Sequence, residues 1–339
     1  LKKVAKINLI LLVLIGLVLS ACSGDKVNGG ESDSSSTTNL VWGAASLGSN
    51  AQMIATAIAN VIGGKESDIK ISVQATGGSS ENPRLISKEQ VDIAHVTDAY
   101  KATKGIDIFE GEDPVELWSL FTMYSNELVF IVPEDSEIQS VEDLVGKKVS
   151  TGPPGAGVTQ MSKAALEAYG VFDQIEVINL GYNEAVDALK DGVVDAIGNF
   201  SSLGIPSPSL EQLDQSFDYR ILPMDTEILQ KAFDQYPDYG PVVIPDGSFS
   251  EIDEDFHTLA SFSIEFADSR MTDDVAYRIV KNIYENLEEV GSYHNLAKKM
   301  KLENALMGLP KEVPVHPGAA KYYKEKGIWN ESYLEGARK

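Results

Sequence analysis

The sequence predicts an α/β protein built as two lobes, each a mostly parallel sheet with helices on its faces, with a ligand cleft between them. Three observations carry this. Short apolar runs alternate with helical stretches from residue 39 to 97. The same alternation restarts between residues 147 and 200. The C-terminal third then adds one more strand-like run and a group of helices. Repeated β-α-β order is the pattern of a parallel sheet with helical crossovers.

Taken in order, "NLVWGA" reads as a strand and "NAQMIATAIANVIG" as a helix ending at Gly63–Gly64. "DIKISVQAT" is a strand, "SENPRLISKEQ" a helix and "VDIAHVT" a strand. "ELVFIVP" makes a further strand before the second round. That round reads "KKVSTG" strand, "GVTQMSKAALEAYG" helix, "IEVINL" strand, "NEAVDALKDG" helix and "VVDAIGNF" strand. "TLASFSIEFA" is one more strand, followed by helices at "TDDVAYRIVKNIYENLEEVG", "YHNLAKKM" and "PGAAKYYKEKG". A second lobe inserted into the first explains this order. The expected division is residues 40–128 plus 249–339 for lobe one and 129–248 for lobe two. A ligand then sits between the lobes, at the carboxyl ends of strands.

The N-terminus predicts export. Lys2, Lys3 and Lys6 precede the apolar run "INLILLVLIGLVLS", and "LSAC" closes it at Cys22. This is the build of a secretory signal over residues 1–21. L-S-A-C resembles a bacterial lipobox, in which Cys22 takes lipid and becomes the mature N-terminus. Residues 22–39 read as a Gly/Ser/Thr-rich flexible tether. Cys22 is the only cysteine, so the mature body has neither a disulfide nor a thiol nucleophile.

The formal charge is −23, and removing residues 1–21, with three lysines and no acids, takes it to −26. Such acidity argues against nucleic acid, which calls for basic patches. It also argues against grip on anionic lipid, leaving membrane attachment to the N-terminal lipid.

Three junctions are candidates for ligand binding: "GAASLGSNA" (43–51), "TGGSSEN" (76–82) and "TGPPGAGVTQ" (151–160). Each lies between a predicted strand and a predicted helix. Glycine lets a ligand approach the backbone, hydroxyls donate, and a helix start offers free N–H groups. Any one loop alone reads as a helix cap, with Ser79 or Ser80 the capping residue in the second. Three together favour a cleft. In the third, Gly152, Gly157 and Thr159 fall in phosphate-loop register, but Val158 stands where a lysine is required. Little ATP exists outside the cytoplasm, so the loop reads as an anion site for a small organic ligand.

Catalysis has little support. His95, His257, His294 and His316 are scattered, without metal-ligand spacing. His95 ends a predicted strand and reads as structural, with a cleft-facing role as the alternative. Asp98 reads as the cap of a helix starting at Ala99. Neither a catalytic residue, a metal site nor a cofactor is expected.

The stretches "QATGGSSENPRLISKEQVDIAHV", "VEDLVGKKVSTGPPGAGV", "EAVDALKDGVVDAIGNFSSLGIPSPSLEQL", "YGPVVIPDGSF" and "HPGAAKYYKEKG" together resemble the TAXI-type solute-binding subunits of tripartite ATP-independent periplasmic (TRAP) transporters. The resemblance runs from about Leu40 to Gly327. It implies a type II periplasmic-binding-protein fold with a hinged cleft, a monomeric receptor without catalysis, and delivery to a fused multi-span permease driven by an ion gradient. It implies small carboxylates and amino acids as ligands, glutamate-, glutamine- or 2-oxoglutarate-like. Carried onto this chain, the ligand loops are Ser46, Leu47, Gly48, Ser49, Asn50 and Gln52; Thr76, Gly77, Gly78, Ser79 and Asn82; and Pro154, Gly155, Ala156, Gly157, Val158 and Thr159. Asn199, Ser201 and Tyr239 are added from later strand ends. The chain departs from the family in two places. Ala51 and Gln52 replace an aromatic, and Gly155-Ala156-Gly157-Val158 replaces G-S-G-T. Two hydroxyls are thus lost, each hydrogen bond being worth about 0.5–1.5 kcal/mol. The alternatives are a receptor for an ABC importer or a sensor, and a cell-surface enzyme with His95 as base.

Overall fold

The computed structural model describes residues 37–47, 49–249 and 251–338. The expected signal segment, Cys22 and nearly all of the tether lie outside the described residues. Thr38 and Asn39, expected in the tether, are the first residues of a strand.

The first round of alternation gives β1 (Thr38–Gly43), α1 (Asn50–Lys65), β2 (Ile69–Gln74), α2 (Asn82–Ser87), β3 (Ile93–Val96) and α3 (Ala99–Lys104). β4 (Trp118–Pro133) leads to the second round: β5 (Lys148–Ser150), α4 (Gly157–Ala168), β6 (Glu176–Ile178), α5 (Tyr182–Lys190) and β7 (Ala196–Ser202). β8 (Ile205–Pro206), α6 (Pro208–Asp214), β9 (Tyr219–Ile221), α7 (Thr226–Gln235) and β10 (Tyr239–Ile244) follow. β11 (Phe256–Ala267) precedes α8 (Asp273–Glu285), α9 (Leu287–Tyr293) and α10 (Pro317–Glu325).

The strand order β2-β1-β3-β11-β4-β7-β5-β6 contains the same unit twice. β2-β1-β3 are parallel, and β11 runs antiparallel beside β3. β6-β5-β7 are parallel, and β4 runs antiparallel beside β7. In each unit the second, first and third strands are followed by a strand entering from the other half of the chain. The expected fold class, a type II periplasmic-binding-protein arrangement of two α/β lobes, is therefore what the structure has. The two long strands β4 and β11 pair with each other and join the lobes.

Three apolar clusters match this duplication. One draws on residues 40–124 and 264–323, and the other two on residues 128–259. Trp42 anchors the first: it is fully buried and meets Phe121 edge-on at 6.1 Å.

Several elements differ from the sequence reading for identifiable reasons. α1 passes through Gly63 and Gly64 to Lys65. Glycine in a helix costs about 1 kcal/mol each. Here Val61 and Ile62 are buried on the same turn, and Arg278 from α8 grips Glu66 just beyond it. β4 begins nine residues before the predicted Glu127. The polar run Ser125–Glu127 looks like a break, yet Glu127 is buried and well satisfied. Its carboxylate accepts from Ser125 Oγ (2.5 Å), Ser201 Oγ (2.7 Å), Leu203 N (3.0 Å) and Gly204 N (3.3 Å). Leu203 and Gly204 both have positive φ, forming the tight β7–β8 turn that aims those amides. The long helix predicted after residue 272 breaks at Asn286, and "YHNLAKKM" keeps only a short 3-10 turn at Leu296–Lys299. Among the described residues no helix is long and apolar enough to cross a membrane.

Candidate ligand-binding site

A cavity of about 570 Å³ opens between the lobes, at the carboxyl ends of β1, β3 and β5 and the starts of α1, α4 and α5. This size suits a small organic ligand. All three loops picked from the sequence reach it. Ser46, Leu47, Ser49 and Asn50 line it from the first, Gly77, Gly78 and Ser79 from the second, and Pro154, Ala156, Gly157 and Val158 from the third. Gly48 lies outside the described residues.

The third loop leads into the start of α4 on the cavity wall. Ala156 stands at the N-cap of α4 with extended backbone and no capping side chain. The first N–H groups of this helix are thus left for a ligand. Gly152 has φ +114°, and a Cβ there would meet Val158 Cγ1 at 2.5 Å, so only glycine makes this turn. Thr159, read from the sequence as a ligand residue, instead donates its hydroxyl to Pro153 O at 2.6 Å and ties the loop to the helix.

The second loop is pinned to β3. Ser79 Oγ accepts from Thr97 N at 2.8 Å and lies 2.8 Å from Thr97 Oγ1, which donates to Asp98 Oδ2 at 3.1 Å. Ser79 therefore caps no helix, contrary to the bland reading; α2 starts at Asn82 behind Glu81. Asn82 is fully buried away from the cavity. Its Nδ2 donates to Gly43 O (3.0 Å), Ala44 O (2.6 Å) and His95 O (2.8 Å). It clamps the ends of β1 and β3, a positioning role instead of the expected contact. Thr76 turns its hydroxyl to Gly78 N at 3.2 Å, shaping the loop from within.

Five further expected residues stand apart from the cavity lining. Gln52 lies one turn into α1, with Nε2 donating to Thr56 Oγ1 at 3.2 Å. Gly155 has φ +77° and packs toward Ser80 of the other lobe. Asn199 is buried and accepts from Ser207 Oγ (2.9 Å) while donating to Ser209 Oγ (3.1 Å). Ser207 and Ser209 themselves line the cavity. Ser201 is spent on Glu127.

Tyr239, the fifth, belongs to a buried ionic cluster between the lobes. Lys101 Nζ reaches Asp98 Oδ1 (3.1 Å), Asp107 Oδ2 (3.3 Å) and Tyr239 OH (2.9 Å), and lies 4.6 Å from the Tyr236 ring centroid. Asp107 also pairs with Lys163 of α4 at 3.2 Å. Asp98 thus holds Lys101 and does not cap α3, which has no side-chain cap. Asp238 accepts from Tyr100 N (2.7 Å) and Lys101 N (3.3 Å). Burial, and then the charge of Asp98, push its carboxyl up to about 7.

Sequence reasoning missed the floor and one wall. Tyr124 and Asn126 of β4, and Ser261 and Ser263 of β11, line the cavity where the lobe-joining strands cross. Asn126 Nδ2 donates to Ser263 Oγ at 2.9 Å. Ser261 Oγ is buried without a hydrogen-bond partner. A register shift after Ser263 marks a bulge beside the site. Tyr182 and Phe200 meet edge-on at 5.3 Å and form an apolar wall. Burial raises the Tyr124 and Tyr182 phenols above their ordinary range, so both stay protonated. His95 lines the cavity as well and is nearly buried. Among the described residues no lysine or arginine lines it. Among the described residues no group of three or more His, Cys, Asp or Glu could hold a metal ion.

The profile of the NMT1-like family matches residues 42–327. Among solved structures the chain is similar to the periplasmic aliphatic sulphonate binding protein SsuA from Escherichia coli, at 14% identity and TM-score 0.45, covering 87% of this chain and 95% of that one. It is similar to the probable amino-acid ABC transporter extracellular-binding protein ytmK from Bacillus subtilis, at 13% identity and TM-score 0.47, covering 78% and 97%. A structure titled for glutathione import via GshT and the cystine ABC importer TcyBC of Streptococcus mutans matches at 14% identity and TM-score 0.47, covering 78% and 94%.

Proposed function

The chain belongs to the NMT1-like family, and on that footing we propose that it is a solute receptor of the extracytoplasmic space. It closes two lobes over one small organic ligand and hands it to a membrane transporter. It performs no catalysis. The observation that carries this reading is the cavity of about 570 Å³ lined by loops from both halves of the chain, with the unblocked N-terminus of α4 on its wall.

The ligand on this reading is an amino acid or a small carboxylate. Its anionic group meets the N–H groups of Gly157 and Val158, the first two of α4, while that of Ala156 is held by Pro153 O. The lobes divide near residues 128 and 249, with β4 and β11 as the connection about which they close. Cys22 carries the lipid that holds the receptor at the outer face of the membrane.

Two transporters fit. The resemblance in the sequence implies a fused TRAP permease driven by an ion gradient. Two of the structural neighbours carry ABC-transporter names, and an ABC importer is the second fit. Reconstitution of the receptor with the membrane components encoded beside it separates the two. Uptake that requires ATP hydrolysis identifies an importer; uptake that follows an ion gradient identifies a TRAP system. Binding itself is tested by thermal denaturation against carboxylates and amino acids. A ligand that binds only the folded state raises stability by RT ln(1 + [L]/Kd). Turnover of any bound compound, lost on His95→Ala, is the result that replaces the receptor with an enzyme.

A further inference from the structure

We propose that His95 reads a hydrogen-bond donor on the ligand, and that Glu265 and Trp42 hold its ring in the form that accepts one. This rests on the cavity being the solute site. Glu265 of β11 is fully buried and lies directly across from His95 in the sheet. Its Oε2 accepts from Trp42 Nε1 at 2.6 Å, and its Oε1 lies 2.8 Å from His95 Nδ1. A carboxylate oxygen accepts, so Nδ1 carries a hydrogen, which in a neutral ring is its only one. Nε2 then presents a lone pair. Nδ1 is the only ring nitrogen of His95 that is hydrogen-bonded among the described residues, and the residue lines the cavity. A second group awaits a partner on the same cavity: Ser261 Oγ is buried and makes no hydrogen bond.

A ligand held by its carboxylate at α4 therefore finds an acceptor at His95. An amino or hydroxy group beside the carboxylate satisfies it. A carbonyl at that place brings two lone pairs together and leaves Nε2 unpaired. The site thus selects amino or hydroxy acids over the oxo acid of the same skeleton. Glu265 is a positioning residue and touches no ligand.

The test is calorimetric titration at pH 8 with matched sets of amino, hydroxy and oxo acids on the carbon skeletons of glutamate, leucine and alanine. In the set that binds, the amino or hydroxy form should be about tenfold tighter than the oxo form, the upper scale of one lost hydrogen bond. His95→Phe should remove that preference. His95→Gln should restore part of it, because its amide can donate to Glu265 and still accept. Glu265→Gln frees the tautomer and should flatten or invert the preference, which a merely structural contact would not do. Equal affinity for the three forms, or a preference that survives His95→Phe, overturns the assignment. Nitrogen-15 spectra of the unmutated protein decide the tautomer even where a variant misfolds, and a hydrogen on Nε2 also overturns it. Binding of none of the sets counts against the receptor reading instead, and the spectra still judge His95.

Discussion

Gly157 is the point at which closure of the lobes can be tested by one methyl group. A Cβ built on it would lie 2.8 Å from Thr97 Oγ1 of the other lobe, and 3.7 Å from Thr97 Cβ and Cγ2. The hydroxyl cannot swing aside, because Ser79 Oγ and Asp98 Oδ2 hold it. Overpacking of this kind costs about 1–3 kcal/mol. If the contact exists only when the lobes are closed on ligand, Gly157→Ala should raise Kd about 5- to 150-fold. The ligand-free protein should lose nothing. Gly157 begins a helix, where alanine is favoured, so the ligand-free melting temperature should stay level or rise. Calorimetric titration and thermal denaturation of the same variant give both numbers. Thr97→Ala removes the obstructing hydroxyl, so the two changes should be strongly non-additive in a double-mutant cycle. Unchanged affinity in Gly157→Ala would refute the reasoning. So would an affinity loss matched by a fall in ligand-free stability, which would mark a packing defect.

Three further outcomes are expected. Asn82→Ala leaves three buried carbonyls without their donor and should destabilise the protein by about 2–4 kcal/mol, read by urea denaturation; a loss below about 0.5 kcal/mol contradicts the clamp. Glu127→Gln puts an amide against donors from Ser125, Ser201, Leu203 and Gly204 and should cost about 1–3 kcal/mol, and an unchanged urea midpoint would dismiss that role. Asp238 titrates near 7 when folded, above its unfolded value of 3.8. The folded state therefore holds the extra proton, and this contribution is full below pH 3.8 and lost as pH rises to about 7. Asp238→Asn should flatten that fall, gaining on the order of 3 kcal/mol relative to the parent between pH 4.5 and 8; parallel stability–pH curves for the two proteins count against it.

The fold was legible because each lobe repeats one local pattern. Strand-to-helix junctions rich in glycine and serine mark themselves, and Ser46, Leu47, Ser49 and Asn50, Gly77–Ser79, and Pro154 with Ala156–Val158 reach the cavity. What stayed hidden depends on pairing between distant segments. Tyr124 and Asn126 lie in β4 ahead of Glu127, where the expected strand began. Donors arriving from Ser201 and the Leu203–Gly204 turn satisfy the Glu127 carboxylate and let the strand run through the polar stretch Ser125–Glu127. Ser261 and Ser263 lie in a strand that was expected, but its place beside β4 is a tertiary fact. Asn82 and Asn199 carry the right chemistry one step removed, since each holds the backbone or serines that line the cavity. Tyr239 and Asp98 reveal their partner, Lys101, only when α3 meets β10.

The most direct measurement is the thermal unfolding of the purified protein against a panel of amino acids, hydroxy acids, oxo acids and dicarboxylates, with mass spectrometry of whatever small molecule the denatured protein releases. A receptor should show one chemical class raising the midpoint in a dose-dependent way, about 2.7 kcal/mol at a ligand concentration of 100 Kd, or should release a stoichiometric small carboxylate from the cavity. A flat panel together with an empty release would contradict the account.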